Sequence, residues 1–203
     1  MKLYYSPGAC SLSPHIALAE LGLKADLVKV DLREHKTEKG EDYYAINPKG
    51  YVPALQLDNG TLLTEGPAIV QYLADLKPEA KLAPANGTLQ RYQLQEWLTF
   101  INSEIHKAFS PLFNPAITED AKKASLDKLA NRFAYVAKHL EGKQYLLGDQ
   151  FSVADGYLFV ILNWARAKAP ATHESPVLKS YFERILARPA VNAAMVAEGI
   201  KKA

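Results

Sequence analysis

Cys10, the only cysteine among 203 residues, lies where the sequence predicts a strand to give way to a helix. Apolar residues 3–5 precede a turn at Pro7 and Gly8, and helical spacing begins just after Cys10. Backbone N–H groups at a helix start, with the positive end of its dipole, lower the pKa of a thiol. Ser13 stands where a dithiol motif has its second thiol, so Cys10 could form a mixed disulfide but could not resolve it within the chain. The alternative is that Cys10 is a buried small apolar residue.

A second chemical pattern is Thr-Glu-Gly-Pro at residues 64–67, directly before a predicted helix. Pro67 suits the first helical turn, where the N–H groups of Gly66 and Ala68 form an anion site. The carboxylate of Glu65 could pair with an ammonium group, so the segment suits the head of an α-amino acid. The alternative is that Glu65 only complements the helix dipole, an effect on the order of a few tenths of a kcal/mol.

Pro53 opens a predicted strand at the end of the loop formed by residues 47–52. A cis Val52–Pro53 bond would turn the backbone N–H and C=O of Val52 outward, where they could pair with an extended, peptide-like ligand. The alternative is an ordinary trans proline at a strand start, where a missing N–H is tolerated.

The helix predicted to open the second half of the chain has an apolar stripe and a polar stripe, at about 100° per residue. The apolar stripe contains Leu94, Leu98, Ile101 and Ile105, and the polar stripe contains Tyr92, Thr99, Ser103, His106 and Ser110. Hydroxyls and an imidazole, rather than Lys and Glu, are typical of a cleft or a subunit surface. The alternative is that His106 is an ordinary surface histidine.

No metal site is predicted, because the histidines lack close spacing with Cys, Asp or Glu. They are His15, His35, His106, His139 and His173. No glycine-rich phosphate loop and no G-x-S-x-G elbow occurs in the sequence.

Strand and helix signals alternate over residues 1–80 in the order β-α-β-α-β-β-α, with helical spacing from Leu12 to Leu23 and Gly22 near the end of that helix. This order predicts a small mixed sheet with helices packed on it, an α/β fold. Breaker residues at 81–87 indicate a linker. Residues 88–203 have only helical periodicity, which predicts an all-α domain of about five helices.

Two local signals are clear. Residues 54–64 read as a hairpin, and the Asn59-Gly60 pair suits a tight two-residue turn. Ser152 and Asp155 fit an N-capping box with Asp in place of the usual Glu or Gln, and a structural helix start is sufficient to explain it.

Composition excludes several classes of function. The net charge is +2 and the longest basic run is Lys201-Lys202, so no nucleic-acid partner is expected. A single cysteine excludes an intrachain disulfide and suits a reducing compartment. Neither a signal peptide nor an apolar run of membrane-spanning length is present. The sequence therefore predicts a soluble, cytoplasmic protein without a membrane partner.

Together these residues resemble the cytosolic glutathione S-transferases, and most closely their bacterial beta class. Six motifs carry the resemblance along essentially the whole chain: YYSPGACSLS (4–13), NPKGYVPAL (47–55), LTEGPAI (63–69), SEIHK (103–107), YLLGD (145–149) and FSVAD (151–155). The resemblance implies a thioredoxin-like N-terminal domain, an all-helical C-terminal domain and a homodimer. It also implies glutathione as the co-substrate.

The resemblance further implies a position for glutathione. Cys10 meets the glutathione sulfur, the backbone around Cys10 and Ser11 stabilises the thiolate, and His106 orients it or accepts a proton. The implied glutathione-binding residues are Ala9, Cys10, His35, Val52, Pro53, Glu65, Gly66, Thr99, Ser103, Glu104, His106 and Lys107. An apolar substrate is expected near Tyr5, Phe109, Phe113 and Trp164, between the two domains, although these aromatic residues could equally be core.

Three positions depart from the family pattern. Gly156 follows the capping box where a side chain would complete a hydrophobic staple with Phe151, so that staple is expected to be lost. His35 stands where close relatives often have lysine, so the charge that meets the glycine carboxylate of glutathione is weaker at neutral pH. Thr99 replaces a frequent asparagine and puts a cross-subunit hydrogen bond in question.

The expected function is a detoxifying glutathione transferase that conjugates apolar electrophiles. It is also expected to carry out thiol–disulfide exchange or peroxide reduction through a mixed disulfide at Cys10. A specialised activity such as reductive dehalogenation or dehydroascorbate reduction shares these motifs and remains open. A non-catalytic ligand carrier or interaction module is the alternative from another class.

Overall fold

One mixed sheet of five short strands organises the first part of the chain, in a computed structural model that describes residues 1–202 and, of His173, only the backbone. The strands are β1 (Lys2–Tyr5), β2 (Asp26–Asp31), β3 (Lys36–Thr37), β4 (Ala54–Gln56) and β5 (Leu62–Thr64). They lie in the order β3-β2-β1-β4-β5, and β1 pairs parallel with β2 and antiparallel with β4. Leu3 on β1 therefore lies between Leu27 and Leu55.

Side chains that alternate along β1 enter two different parts of the core. Tyr4 belongs to a buried cluster with Tyr43 and Val52, whereas its neighbour Leu3 is fully buried and points to the opposite face of the sheet. The helices of this unit are α1 (Leu12–Leu21), α2 (Tyr43–Ile46) and α3 (Gly66–Leu76), of which α1 and α3 pack against each other.

The second compact unit, Pro84–Leu186, is helical. Its helices are α4 (Leu89–Phe100), α5 (Lys107–Phe109), α6 (Glu119–Leu140), α7 (Val153–Lys168) and α8 (Pro176–Leu186). Helix α7 is central, because the ten residues 153–162 are all buried. Most of these ten residues are apolar, and the buried carboxylate among them, Asp155, is hydrogen-bonded.

The C-terminal segment packs with the first unit. Helix α9 (Pro189–Ala197) contacts α1, and the guanidinium of Arg188 donates two hydrogen bonds to the carboxylate of Glu20 at 2.6 and 2.8 Å. The contacts thus group the chain from Ala187 onward with the sheet, whereas the predicted helical domain covers residues 88–203. The domain boundaries themselves stay a prediction.

The predicted fold class is confirmed: a thioredoxin-like sheet with helices precedes a helical region. The two-residue strand β3 is an addition to the predicted order. Helix α1 ends at Leu21, and Gly22 adopts the left-handed conformation (φ 59°) that commonly ends helices. Within the described residues, no helix is both long and apolar enough to span a membrane.

The hairpin is confirmed, but its turn is longer than two residues. The N–H of Gly60 donates to the carbonyl of Leu57 at 2.9 Å, and the N–H of Leu57 donates to the carbonyl of Thr61 at 2.8 Å. Gly60 has φ 84°, so the Asn59-Gly60 pair ends a three-residue turn with glycine in the left-handed position.

The capping box at the start of α7 is confirmed, and it is part of a larger buried network. One carboxylate oxygen of Asp155 accepts hydrogen bonds from the N–H and Oγ of Ser152, both at 2.8 Å. The other accepts from the N–H of Leu146 and the hydroxyl of Tyr181, also at 2.8 Å. Burial raises the pKa of Asp155, and these four hydrogen bonds act in the opposite direction.

Candidate functional site

Cys10 lies in the turn between β1 and α1, half-buried and not part of a disulfide. Its Sγ donates a hydrogen bond to the carbonyl oxygen of Val52 at 3.2 Å. The Val52–Pro53 peptide bond is cis, the less common of the two forms considered for it. Pro53 lies beside Gly66, since a Cβ on Gly66 would be 3.8 Å from the ring of Pro53. The structure therefore brings four of the predicted site residues of the first unit together.

The turn that holds Cys10 uses its own backbone groups. The N–H of Leu12 donates to the carbonyl of Ala9 at 3.0 Å, and the N–H of Ser13 donates to that of Cys10 at 3.1 Å. These two first-turn donors are therefore engaged, unlike the unpaired N–H groups that the sequence predicted beside the sulfur. Ala9 also packs against the cluster of Tyr4, which fixes the turn to the sheet.

Ser11 is fully buried and stabilises the same turn. Its Oγ accepts a hydrogen bond from the N–H of Ser6 at 3.1 Å and lies 3.2 Å from the carbonyl of Ser6. Its hydroxyl thus joins the end of β1 to the start of α1. A direct catalytic role for Ser11 stays a prediction.

Glu65 precedes α3 in a backbone conformation that side chains rarely adopt, with φ 70° and ψ 114°. Its carboxylate accepts a hydrogen bond from the Nζ of Lys49 at 2.7 Å. Both side chains are more than half exposed, so a ligand ammonium group could compete with Lys49 for this carboxylate. The N–H of Ala68 donates to the carbonyl of Glu65 at 3.0 Å, so it is not the free donor predicted from the sequence. Lys49 is not among the site residues predicted from the sequence, although its charge within the NPKG loop was a signal.

His35 also has a left-handed backbone, with φ 52°. Its ring packs on that of Tyr44 with centroids 4.4 Å apart, and its Nδ1 is buried without a hydrogen-bond partner among the described residues. Gly50 leaves room for this pair, because a Cβ there would be 2.6 Å from Tyr44 and 3.2 Å from the Nδ1 of His35. An orphaned buried nitrogen suits a ligand that supplies the missing partner.

In the helical unit, His106 ends a π-helical segment, Ile101–His106, that continues from α4. Its Nδ1 lies 2.6 Å from the hydroxyl of Tyr157, which donates a hydrogen bond to the Oδ1 of Asn102 at 3.0 Å. Both contacts are satisfied when Nδ1 carries the hydrogen, which leaves Nε2 as the basic nitrogen. Burial, assisted by the charge of Lys107, lowers the pKa of His106 to about 4, so the ring is neutral at pH 7.

The two predicted stripes of this helix are confirmed, since they differ in burial. The four residues of the apolar stripe are buried, and Tyr92, Thr99, Ser103 and Ser110 of the polar stripe are exposed. Lys107 is exposed as well. The π-helical geometry was not predicted, since no propensity rule identifies it from sequence.

Glu104 is engaged within the helical unit. Its carboxylate accepts hydrogen bonds from Nε and Nη2 of Arg132 at 3.0 and 2.8 Å, and Lys128 lies 3.4 Å away. These two cations lower the pKa of Glu104. The carboxylate also lines a cavity of about 640 Å³ beside Trp97, Phe100 and Tyr135.

Three of the aromatic residues predicted to meet an apolar substrate form one cluster around Trp164. Its ring centroid lies 4.9 Å from that of His106, 5.2 Å from that of Phe113 and 5.9 Å from that of Phe109. Phe113 is 50% exposed, whereas Phe109 is fully buried. Phe109 is therefore a core residue, the alternative left open for it. Tyr5, in the other unit, is half-buried, and burial raises the pKa of its hydroxyl.

Among the described residues, no group of three His, Cys, Asp or Glu side chains is placed to hold a metal ion. The side chain of His173, one of the five histidines considered, lies outside the described residues.

Models of two protein domains match the chain. The glutathione S-transferase N-terminal domain matches residues 8–76, and the glutathione S-transferase C-terminal domain matches residues 100–189. Glutathione S-transferase GstA of Escherichia coli O157:H7 is 45% identical over 201 residues, which are 99% of this chain and 100% of the relative.

Solved structures give the same result. A ternary complex of BphK, a bacterial GST, superposes with a TM-score of 0.96 at 58% identity, over 98% of this chain and 100% of that one. The bacterial beta class glutathione S-transferase of Sphingomonas chungbukensis has a TM-score of 0.96 at 51% identity, over 99% and 100%. A sphingomonad glutathione S-transferase complexed with glutathione has a TM-score of 0.95 at 51% identity, over 99% and 100%.

Proposed function

The chain belongs to the glutathione S-transferase family and is a glutathione transferase with glutathione as co-substrate, and from this premise we propose two reactions at one site. The first is conjugation of the glutathione sulfur to small apolar electrophiles. The second is thiol–disulfide exchange through Cys10, which extends to peroxide reduction. The observation that carries the second is the half-buried thiol of Cys10, 3.2 Å from the carbonyl of Val52.

Conjugation requires an ionised glutathione sulfur. A free thiol has a pKa near 8.5 and is about 3% thiolate at pH 7, and a decrease of two units raises that fraction to roughly three quarters. Cys10 lies just before α1, and the N-terminus of that helix carries the positive end of its dipole. His106 is neutral at pH 7, so its Nε2 can orient the sulfur or accept its proton.

Exchange begins when the Cys10 thiolate attacks the glutathionyl sulfur of a mixed disulfide. The bond between that sulfur and the substrate sulfur breaks, the substrate leaves as a thiolate that takes up a proton, and a Cys10–glutathione disulfide forms. A second glutathione thiolate then attacks the glutathionyl sulfur, which releases oxidised glutathione and restores the Cys10 thiolate. Because Ser13 replaces a second cysteine, the resolving thiol must come from glutathione.

A peroxide enters the same cycle one step earlier. The Cys10 thiolate attacks one peroxide oxygen, the O–O bond breaks, and an alcohol leaves while Cys10 becomes a sulfenic acid. Glutathione displaces water from the sulfenic acid and gives the same mixed disulfide. A second glutathione completes the reduction, so two thiols are oxidised for each peroxide.

Three residues of the first unit are proposed to bind the glutathione backbone. The backbone of Val52 pairs with the cysteinyl unit, and Glu65 takes the ammonium of the γ-glutamyl head in place of Lys49. His35 approaches the glycine carboxylate, and its orphaned Nδ1 supports a role in ligand binding. The proposed set of glutathione-binding residues is completed by Gly66, Thr99, Ser103, Glu104 and Lys107.

The apolar electrophile is proposed to lie against Phe113 and Trp164, and a contact with Tyr5 stays a prediction from the sequence. The exposed ring of Phe113 supports this placement. Phe109 supports the cluster from the core. Because the residues are aromatic, planar apolar electrophiles are the favoured class.

A homodimer in the cytoplasm is proposed, with a role in detoxification. Tyr51, Tyr92 and Tyr135 are 69%, 61% and 55% exposed, and exposed tyrosines are enriched at protein interfaces. A thiol chemistry that uses reduced glutathione suits a reducing compartment. Light scattering on the purified chain tests the dimer.

Intact-mass spectrometry tests the exchange reaction. We expect the wild-type protein to gain one glutathionyl group after incubation with oxidised glutathione and to lose it with a reductant. The Cys10→Ala variant should stay unmodified under the same conditions. An unmodified wild-type protein that still conjugates electrophiles would remove the exchange reaction and leave conjugation. Retention on a glutathione matrix without turnover of any electrophile would indicate a carrier instead.

A further inference from the structure

A buried carboxylate from the C-terminal segment contacts the loop that carries Cys10. Glu198 follows α9, and its side chain has no exposed surface. One carboxylate oxygen accepts a hydrogen bond from the N–H of Gly8 at 2.9 Å, and the other lies 2.9 Å from the Nδ1 of His15 on α1. Glu198 thus joins the loop, the first helix and the C-terminal segment.

The same segment also places Ile200 close to Gly8. Gly199 has φ 70° and reverses the chain, and the N–H of Ile200 donates to the carbonyl of Met195 at 2.9 Å. A Cβ on Gly8 would lie 3.8 Å from the Cδ1 of Ile200. The hydrogen bond to Glu198 and the nearby side chain of Ile200 therefore both concern the residue two positions before Cys10.

The stability of α9 does not explain Glu198. A negative charge at a helix C-terminus is unfavourable, because the last carbonyl groups carry the negative end of the dipole. A fully buried carboxylate is costly unless hydrogen-bonded partners compensate for its desolvation. Its two partners here are Gly8 and His15, so the compensation lies in the loop and in α1.

Gly8 is where the direction of the loop is set. Its left-handed backbone (φ 72°) turns the chain after β1, and the N–H of Ala9 then donates to the carbonyl of Ser6 at 3.0 Å. A displacement at Gly8 would move Cys10 relative to its partner, the carbonyl of Val52. Misplacement of a reacting group by about 1 Å can reduce a rate about 100-fold.

We propose that Glu198 is a positioning residue for the reaction at Cys10: through Gly8 it fixes the loop that holds the glutathione sulfur. It touches neither reactant and acts only through the loop. This inference rests on the proposed function, which places the glutathione sulfur beside Cys10.

The chain contains a matched control for this contact. The carboxylate of Glu20 on α1 accepts the two hydrogen bonds of Arg188 at the start of α9. This pair also joins α1 to the C-terminal segment through a largely buried carboxylate, and its two hydrogen bonds run between α1 and the residue before α9. Glu20→Ala therefore reports what weaker attachment of α9 does by itself.

The experiment compares Glu198→Ala, Glu198→Gln and Glu20→Ala in full-length protein, well below the Tm of each variant. The readouts are kcat and KM for the reduction of a glutathione mixed disulfide, the reaction that uses Cys10, and the rate at which iodoacetamide alkylates Cys10. We expect Glu198→Ala to lower kcat/KM at least about tenfold and to change the alkylation rate. We expect Glu198→Gln, which keeps an acceptor for Gly8, to recover most of kcat/KM, and Glu20→Ala to match the wild type.

Equal losses in Glu198→Ala and Glu20→Ala would overturn the proposal, because attachment of α9 would then explain both. Wild-type values in Glu198→Ala would overturn it as well. If Glu198→Ala does not fold, Glu198→Asp, one methylene too short to reach both partners, replaces it with the same expectation. If Cys10 takes up no glutathionyl group, the exchange reaction fails, yet the rates at which iodoacetamide alkylates Cys10 in these variants still decide whether Glu198 positions Cys10.

Discussion

His106 is expected to make the stability of the protein depend on pH between about 4 and 6.5. The unfolded chain binds a proton at this histidine below its ordinary pKa of 6.5, whereas the folded protein does so only near pH 4, because the ring is buried beside Tyr157 and Trp164. Between these values the unfolded state binds more protons, so the free energy of unfolding falls as the solution is acidified.

The size of the effect follows from the shift. A difference of about 2.5 pKa units corresponds to about 3 kcal/mol when both steps are complete. Between pH 7 and pH 5 the linkage relation gives a loss of about 2 kcal/mol from His106 alone. At pH 7 about a quarter of the histidine is protonated in the unfolded state and almost none in the folded state, so the contribution there is only about 0.2 kcal/mol.

Urea denaturation of the wild type and of His106→Gln at pH 7, 6 and 5 measures this contribution. Glutamine has no proton to gain, so the difference in unfolding free energy between the two proteins should change by about 2 kcal/mol from pH 7 to pH 5 in favour of the variant. The other histidines are common to both proteins and cancel. A constant difference across the three pH values would refute the reasoning, as would an NMR titration of His106 with a midpoint near 6.5.

Three further predictions concern stability and binding. Gly50→Ala should lower the unfolding free energy by about 1–2 kcal/mol, because Gly50 has φ 68° and the new Cβ would meet Tyr44 at 2.6 Å. Adding Tyr44→Ala to this variant should recover only the part of the loss that the clash causes. Full recovery of the unfolding free energy would contradict the backbone argument. Asp155→Ala should cost at least about 3 kcal/mol in urea denaturation, because it leaves the hydroxyl of Tyr181 and two backbone donors buried without their acceptor; a loss of less than about 1 kcal/mol would contradict this. Glu65→Gln should weaken glutathione binding at least about tenfold by calorimetry, whereas Glu79→Gln, an exposed acid, should not; equal affinities would argue against the proposed ammonium contact.

Local rules predicted those parts of the fold in which one physical effect dominates. The spacing after Leu12 and the glycine at 22 predicted α1 closely, because burial and a left-handed residue determine its two ends. Ser152 and Asp155 predicted the start of α7, because one local capping box satisfies the first backbone N–H donors of that helix. The Asn59-Gly60 pair predicted a hairpin but not its length, since glycine suits both kinds of turn.

The remaining features depend on contacts far apart in sequence. Glu198 meets Gly8 across 190 positions, and no periodicity signals such a pair. Lys49 meets Glu65 only because the hairpin brings the loop and the start of α3 together. Phe109 and Phe113 have the same residue type, and only packing separates a buried ring from an exposed one. The family motifs named most of the candidate site, but local patterns did not reveal how its residues are held.

The most direct test of the account measures two activities in the Cys10→Ala variant. Conjugation is followed with a chloro-dinitroaromatic substrate, and disulfide reduction is followed with a glutathione mixed disulfide. We predict that the variant keeps much of the conjugation activity and loses disulfide reduction, because only the second reaction forms a covalent bond to Cys10. Unchanged disulfide reduction in the variant would contradict the proposed role of Cys10.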